Sequence, residues 1–453
     1  MVEELKLEGI WWLPGDPEKK VCGRLTFDQE NGAELSLIVS FKEIEQSTDI
    51  ARYEFINSIT TDGKKVTLYK CLEVNSTLHM TGLLTSRYVA DYVFIGIWFT
   101  KEDDIRFTTL DLNMSNLGAW FDVNKIQSKF CLDTEEFKVK PWQSYVPKAI
   151  VDGYTIQIRL VTNISHRLFP HQELSFNNQV FFVVTSEKEI SLEDSLEIIK
   201  RLQNFLTFAC NAPAYPLSIV AGTNPKRLAS TDENKVQLYY KTVISGKQTV
   251  TISRFNMLFS YGNIASRFEE ILNLWFSISK EFEPSLNMYF ATRYNTKMYI
   301  EHTFLTLIMA LEAYHRRRFG NSEVSEEEHK KRINDILKSA PNEYREWLKE
   351  KLRYSNEPSL RKRLKELFES YKDILEDLLQ TDESRFTNDL VNTRNYLVHF
   401  DEGRRDSVLN STGIYELSER LKMILDVVFL NELRFDSEDI KRIIKSSYIV
   451  YKW

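Results

Sequence analysis

Phe386-Thr387-Asn388-Asp389-Leu390-Val391-Asn392-Thr393-Arg394-Asn395-Tyr396-Leu397-Val398-His399 reads as one helix. Leu390, Val391, Arg394, Tyr396, Leu397 and Val398 suit a helix that buries one side. Asp401-Glu402-Gly403 reads as its stop, with Gly403 free to take a left-handed cap. His399 then falls in the last turn, where the negative end of the helix dipole favours a protonated imidazole. Asn395 and His399 are four apart and share a face. Arg394 lies roughly 140° round the helix from His399 at ~100° per residue. Its long side chain still reaches toward the same rim.

The segments around this helix are helical too. Ile264 to Phe282 carries Phe268, Ile271, Leu272, Trp275 and Phe276 as an apolar stripe, and Pro284 ends or kinks it. Tyr299 to Arg318 follows, then a helix capped by Ser325 with Glu328, then one opened by Pro341 over Tyr344 to Tyr354. Leu360 to Leu379, Ile414 to Leu430 and Ile440 to Tyr451 complete an all-α bundle assigned to 263–453. The first part differs. Leu25 and Phe27, then Leu35, Leu37 and Val39, alternate around Asn31-Gly32, and Asp62-Gly63 precedes Val66 and Leu68. Tyr92 to Phe99 and Val180 to Val184 suit buried strands, and Val250 to Ile252 suits another. One helix interrupts them, started by Ser191 with Asp194 and stopped by Asn211-Ala212-Pro213. The fold class is therefore α+β: a β-rich region over 1–262, with room for a second break near 141–150, and then the helical region.

Composition narrows the function. The chain has 453 residues, net charge −6 and 13% aromatic residues, so any contact with nucleic acid needs a local basic patch. Cys22, Cys71, Cys131 and Cys210 form no Cys-x-x-Cys and suit buried thiols in a reducing compartment. The opening Met1-Val2-Glu3-Glu4-Leu5-Lys6 lacks the parts of a signal peptide. Apolar runs such as Val93 to Phe99 fall short of the ~20 residues of a membrane span. A cytoplasmic protein without a membrane partner is expected. Gly222-Thr223-Asn224-Pro225-Lys226 is not a phosphate-cradling loop. His302 with His315, and His166 with His171, do not suit a shared metal. Neither cofactor nor metal is expected.

Arg394, Asn395 and His399 suit RNA cleavage without a metal. His399 can take the proton of a ribose 2′-hydroxyl or return one to the leaving 5′-oxygen. Arg394 can hold the phosphate and its growing charge, and Asn395 can orient His399 or donate to a phosphoryl oxygen. The blander alternative is a helix-end histidine bonded to a carbonyl and an arginine paired with Asp401 or Glu402. Glu312, between Leu311 and Ala313, needs a partner. It is either paired within the bundle or a carboxylate that orients Arg394 or His399. Arg316-Arg317-Arg318, Arg361-Lys362-Arg363 and Arg404-Arg405 suit solvated faces, with Arg404 and Arg405 best placed for RNA phosphates. Trp11-Trp12 suits a strand packed on a core, the other use being a sugar- or peptide-stacking platform.

An arginine, a polar residue and then a histidine four residues on, late in a long helix, fit the HEPN pattern. Glu8-Gly9-Ile10-Trp11-Trp12-Leu13-Pro14 with Gly23-Arg24-Leu25 resembles the opening of the N-terminal domain of the ApeA family of prokaryotic anti-phage defence proteins. Trp275, Glu301-His302-Thr303-Phe304-Leu305 and Met309-Ala310-Leu311-Glu312-Ala313-Tyr314-His315-Arg316, running on to Arg394 and His399, are similar to the ApeA-like HEPN domain. The resemblance implies an abortive-infection effector: an endoribonuclease that halts the infected cell by cutting tRNA or other RNA. Two copies paired through the helical domain would complete one cleft, and the β-rich region would sense a phage-derived trigger. A non-catalytic HEPN dimerisation scaffold with a ligand-binding N-terminal domain is the alternative. HEPN toxins silenced by nucleotidylation carry a tyrosine two residues past the histidine. Asp401 stands there instead, so that control is not expected.

Overall fold

The computed structural model describes residues 4–44, 49–122, 126–131, 136–141, 146–167, 173–224, 235–242, 252, 256–400 and 409–448. By contacts the chain forms two compact units, Met1–Phe276 and Ser277–Trp453.

The first unit begins with β1 (Leu5–Leu13), β2 (Asp16–Asp28), β3 (Gly32–Leu37), β4 (Arg52–Thr60), β5 (Lys65–Leu78) and β6 (Leu84–Ile95). They pair antiparallel in the order β6-β3-β2-β1-β4-β5, and β5 returns to β6, which closes a six-stranded barrel. The turns at Asn31-Gly32 and Asp62-Gly63 set the β2–β3 and β4–β5 registers, Asp28 facing Gly32 and Ile59 facing Lys65. Inward residues such as Leu7, Trp11, Leu25, Leu35, Ile56, Leu68 and Val93 fill the barrel. Burial of each large apolar side chain contributes roughly 1.5–3 kcal/mol. Trp11 is therefore core. Trp12 is half-buried and meets the edge of Trp98 at a centroid distance of 5.3 Å. Trp11 cannot serve the stacking platform that sequence left open. Lys42 and Glu73 form an ion pair of 2.7 Å with both side chains buried. Lys42 also donates to the Asp49 carbonyl, and Glu73 accepts from the Ala51 amide, which ties the chain before β4 to the barrel.

β6 continues past β3 to pair with a second sheet. That sheet runs β10 (Lys148–Val151), β11 (Tyr154–Arg167), β12 (Glu173–Ser191), β7 (Arg106–Met114), β13 (Pro216–Gly222), β14 (Lys235–Tyr240), β6. At the junction Gly96 has φ +113°, and a Cβ there would stand 2.6 Å from the Lys235 carbonyl oxygen. Only glycine serves. β8 (Ile126–Cys131) and β9 (Glu136–Pro141) form a separate two-stranded ribbon. The short α1 (Leu117–Phe121) follows β7. The long helix α2 (Leu192–Cys210) packs on β7 and β12. Ser191 caps it by accepting from the Asp194 amide, and Asn211 ends it in the left-handed region. The strand proposed at Val250 to Ile252 lies outside the described residues apart from Ile252.

After α3 (Tyr261–Ile264) comes α4 (Phe268–Glu281), whose first part belongs to this unit. Trp275 stacks on Phe208 of α2 and donates its indole N–H to the Arg201 carbonyl at 2.9 Å.

The second unit is helical: α5 (Glu283–Tyr294), α6 (Ile300–Phe319), α7 (Glu326–Ser339), α8 (Arg345–Lys351), α9 (Leu360–Ser370), α10 (Lys372–Leu379), α11 (Glu383–His399), α12 (Ser411–Glu432) and α13 (Ser437–Ser447). Three readings of the sequence change. Pro284 does not merely stop a helix; it sits in the first turn of α5, where its missing N–H is harmless. Leu360 to Leu379 is two helices, broken at Tyr371, whose buried hydroxyl bonds the Tyr314 hydroxyl at 2.7 Å. The left-handed cap after α11 is Phe400 at φ 51°, not Gly403, which lies outside the described residues. Leu307, Ile308, Leu311, Ile424, Val428 and Phe429 fill the seam where α6 meets α12. No described helix is long and apolar enough to cross a membrane.

Candidate functional site

α11 begins where Asp382 accepts from the Arg385 amide at 2.7 Å. Phe386, Thr387, Leu390 and Thr393 are its buried residues, and they fix it against α9 and α6. The packing decides what the other face shows. Arg394 and Asn395 are half-buried, and Val398, His399 and Phe400 are exposed. His399 lies in the last turn, as its spacing implied, and among the described residues its ring has no hydrogen-bond or ionic partner. Arg394 donates to Asn395 Oδ1 at 3.2 Å. A guanidinium has five N–H donors, so among the described residues this bond leaves others unused. Arg404 and Arg405, with Asp401 and Glu402, lie outside the described residues.

Glu312 is half-buried on α6. Burial pushes its carboxyl above the usual carboxylate range, while the positive charges of Arg394, then Arg363 and Arg316, pull it down. Arg394 is therefore the cation that acts most strongly on Glu312. No direct ion pair joins them. Glu312 feels the charge of Arg394 and also that of Arg363, which belongs to a second polar group that sequence reasoning missed. Arg363 is 3% exposed, so the Arg361-Lys362-Arg363 run is not wholly a solvated face. It donates to Asn321 Oδ1 at 2.5 Å and to His315 Nδ1 at 3.2 Å. His315 Nε2 meets Glu366 Oε2 at 2.8 Å. Burial lowers the His315 pKa, and the hydrogen bond to Glu366 opposes this. The available signal was Arg363's place beside Leu364 and Leu367 within the apolar stripe of α9. Arg316 and Arg318 are exposed and pair with Glu357 and Glu432. His302 is exposed while His315 is buried, and His171 lies outside the described residues.

Among the described residues the α11 face thus carries an open imidazole, a half-buried guanidinium and an amide, and α6 adds a carboxylate that feels the charge of that guanidinium. Two family models match this chain. ApeA N-terminal domain 1 covers residues 6–275. Apea-like HEPN covers 305–439, from within α6 into α13. The chain belongs to the ApeA family. Its α+β fold is a β-rich N-terminal region followed by an all-α HEPN bundle, and Glu312, Arg363, Arg394 and His399 all fall within the HEPN match. No curated protein and no solved structure matches the chain.

Proposed function

We propose that this ApeA-family protein is an anti-phage effector whose HEPN unit cuts RNA without a metal. The observation that carries the reading is the open face of α11: packing leaves Arg394, Asn395 and His399 accessible together, with Glu312 acting on Arg394. The 2′-hydroxyl of the RNA is the nucleophile. One His399 imidazole removes its proton while the phosphorus–oxygen bond forms. The bond to the 5′-oxygen breaks, and that oxygen takes a proton from an imidazolium. Arg394 and the Asn395 amide N–H groups stabilise the charge on the phosphoryl oxygens. The products are a 2′,3′-cyclic phosphate and a 5′-hydroxyl end.

With one histidine on this face of each chain, a second copy supplies the other proton-transfer group. Val398 and Phe400, the latter 70% exposed, flank His399 and give a partner copy an apolar rim. In this reading Glu312 fixes the field that orients Arg394, and Arg404 and Arg405 hold flanking phosphates. The N-terminal unit senses a phage-derived trigger in the cytoplasm, and tRNA is the first substrate to examine. The exposed rim also fits a scaffold that dimerises without cutting. The two readings separate on one experiment: end-mapping of cellular RNA after expression of wild type and His399→Ala in phage-infected cells. New 2′,3′-cyclic ends that depend on His399 support the ribonuclease. Identical RNA profiles leave the scaffold. Cleavage by purified, triggered protein should persist in EDTA, and loss on chelation would contradict the metal-free step.

A further inference from the structure

Between α6 and α9 the chain leaves the bundle as a helical arm, residues 321–356. Neither α7 nor α8 contains a buried residue. Its neck is nonetheless fixed. The Glu323 amide donates to the Asn356 carbonyl at 2.8 Å, the Val324 amide donates to Asn356 Oδ1 at 3.1 Å, and Asn356 Nδ2 donates to the Val324 carbonyl at 3.1 Å. His329 and Ser355 add a bond of 2.9 Å above it. The half-buried Ile333, Leu337, Leu348 and Leu352 are the apolar residues the arm partly shields. What α8 turns outward is different: rings and cations.

Tyr344, Trp347 and Lys351 follow the i, i+3, i+7 spacing of one helical face. Trp347 is 57% exposed, and Tyr354 beyond it is 66% exposed. Among the described residues neither Lys349 nor Lys351 has an ionic partner, although on α7 Lys330 and Arg332 pair with Glu326 and Glu328. At ~100° per residue Glu346 stands about 140° and Glu350 about 100° round the helix from Lys351, Glu350 about 60° from Trp347, and Lys349 about 160° from both Trp347 and Lys351. Exposed rings interleaved with unpaired cations suit single-stranded nucleic acid: bases stack on the rings and phosphates meet the ammonium groups. The neck also adjoins the candidate site, because Asn321 accepts from Arg363, whose charge acts on Glu312 together with that of Arg394.

We propose that this arm grips the single-stranded part of the RNA through Tyr344, Trp347 and Lys351. The proposal rests on the ribonuclease reading for the identity of the strand, and its test is separate. Full-length His399→Ala is titrated with fluorescein-labelled polyuridylate, with and without Trp347→Ala or Lys351→Ala. Loss of one stacking ring should weaken binding by about 5- to 150-fold. Removing Lys351 should flatten the dependence of log affinity on log salt by about 0.7, the slope per phosphate contact on single strands. In the cleaving protein the same substitutions should raise KM rather than lower kcat. Equal affinity in all variants, or no affinity in the parent, overturns the proposal. So does a change of oligomeric mass in Trp347→Ala without a change in RNA affinity, since that assigns the face to a protein contact. Arm-dependent binding by a protein that never cuts RNA supports the arm and sinks the catalytic reading. Cleavage that needs His399 but has the same KM in every arm variant does the reverse.

Discussion

The helical unit holds two arginines in opposite circumstances. Arg293 on α5 gives one terminal nitrogen to both carboxylate oxygens of the fully buried Asp426 at 3.0 Å each, and to the Tyr289 hydroxyl at 2.7 Å. Tyr289 and Tyr448 both donate their hydroxyls to the same carboxylate. Among the described residues Arg394 on α11 has one hydrogen bond, to its neighbour Asn395, and its charge acts on the Glu312 carboxylate without an ion pair between them. The first arrangement is closed: both oxygens of Asp426 are engaged, and the group joins α5, α12 and the end of α13. Among the described residues the second is open: the bundle pairs Arg293 with a buried carboxylate and gives Arg394 none in contact. The contrast separates a charge that holds the fold from one kept for a ligand.

The largest expected effect tests the open side. His399→Ala should lower single-turnover cleavage by ~10²–10⁴, and Arg394→Ala by ~10²–10³. Both side chains lie on the accessible face, so the unfolding midpoint should stay close to wild type. A large stability loss in either would make the open cluster structural after all. Next comes the closed side. Asp426→Ala leaves Arg293 buried without its counter-charge and should destabilise the bundle by ~3–5 kcal/mol, read by urea unfolding. Cleavage per folded molecule should be nearly unchanged. If Asp426→Ala folded as well as wild type yet lost cleavage, the assignment of the two arginines would be reversed.

How far the sequence reveals this contrast depends on the range of the interactions. Local features were readable: Ser191 with Asp194 starts α2, Asn31-Gly32 and Asp62-Gly63 turn the hairpins, and spacing alone puts Asn395 and His399 on one face. Closure of the barrel was not readable, because β6 divides one edge between β3 and β14 while its other edge meets β5. No local pattern encodes that choice. The break at Tyr371 was hidden by an unbroken apolar period, and it accompanies a hydroxyl bond to Tyr314 in another helix. Arg363 sits in a basic run that suggests solvent. Its burial depends on His315 and Asn321, 48 and 42 residues away. Phe400 took the left-handed cap that glycine statistics assign to Gly403, so α11 ends directly after His399.

A smaller effect sharpens the comparison at Glu312. Glu312→Gln keeps the shape and removes the charge that acts on Arg394. About a tenfold fall in kcat, equivalent to ~1.4 kcal/mol, would mark it as a positioning residue. Glu312→Asp should recover part of that loss. Unchanged kcat in Glu312→Gln would mean that Arg394 needs no help from α6.

The smallest effect concerns the polar chain behind Glu312. Because Arg363 donates to His315 Nδ1, the ring is neutral, with its Nε2 proton directed to Glu366. Burial holds its folded pKa below the ordinary 6.5. As pH falls, the unfolded chain therefore takes up this proton before the folded one does. The contribution of His315 to stability is complete above about 6.5 and is lost as pH falls from there through the folded pKa, with a slope of at most ~1.4 kcal/mol per pH unit. The melting temperature of the wild type should drop across that window more steeply than that of His315→Gln. If cleavage falls with it in wild type only, protonating His315 frees Arg363 and disturbs the field around Glu312 and Arg394. If stability changes and cleavage does not, the chain from His315 to Arg363 belongs with the Asp426 cluster as a device of the fold, and the open arginine stands on its own.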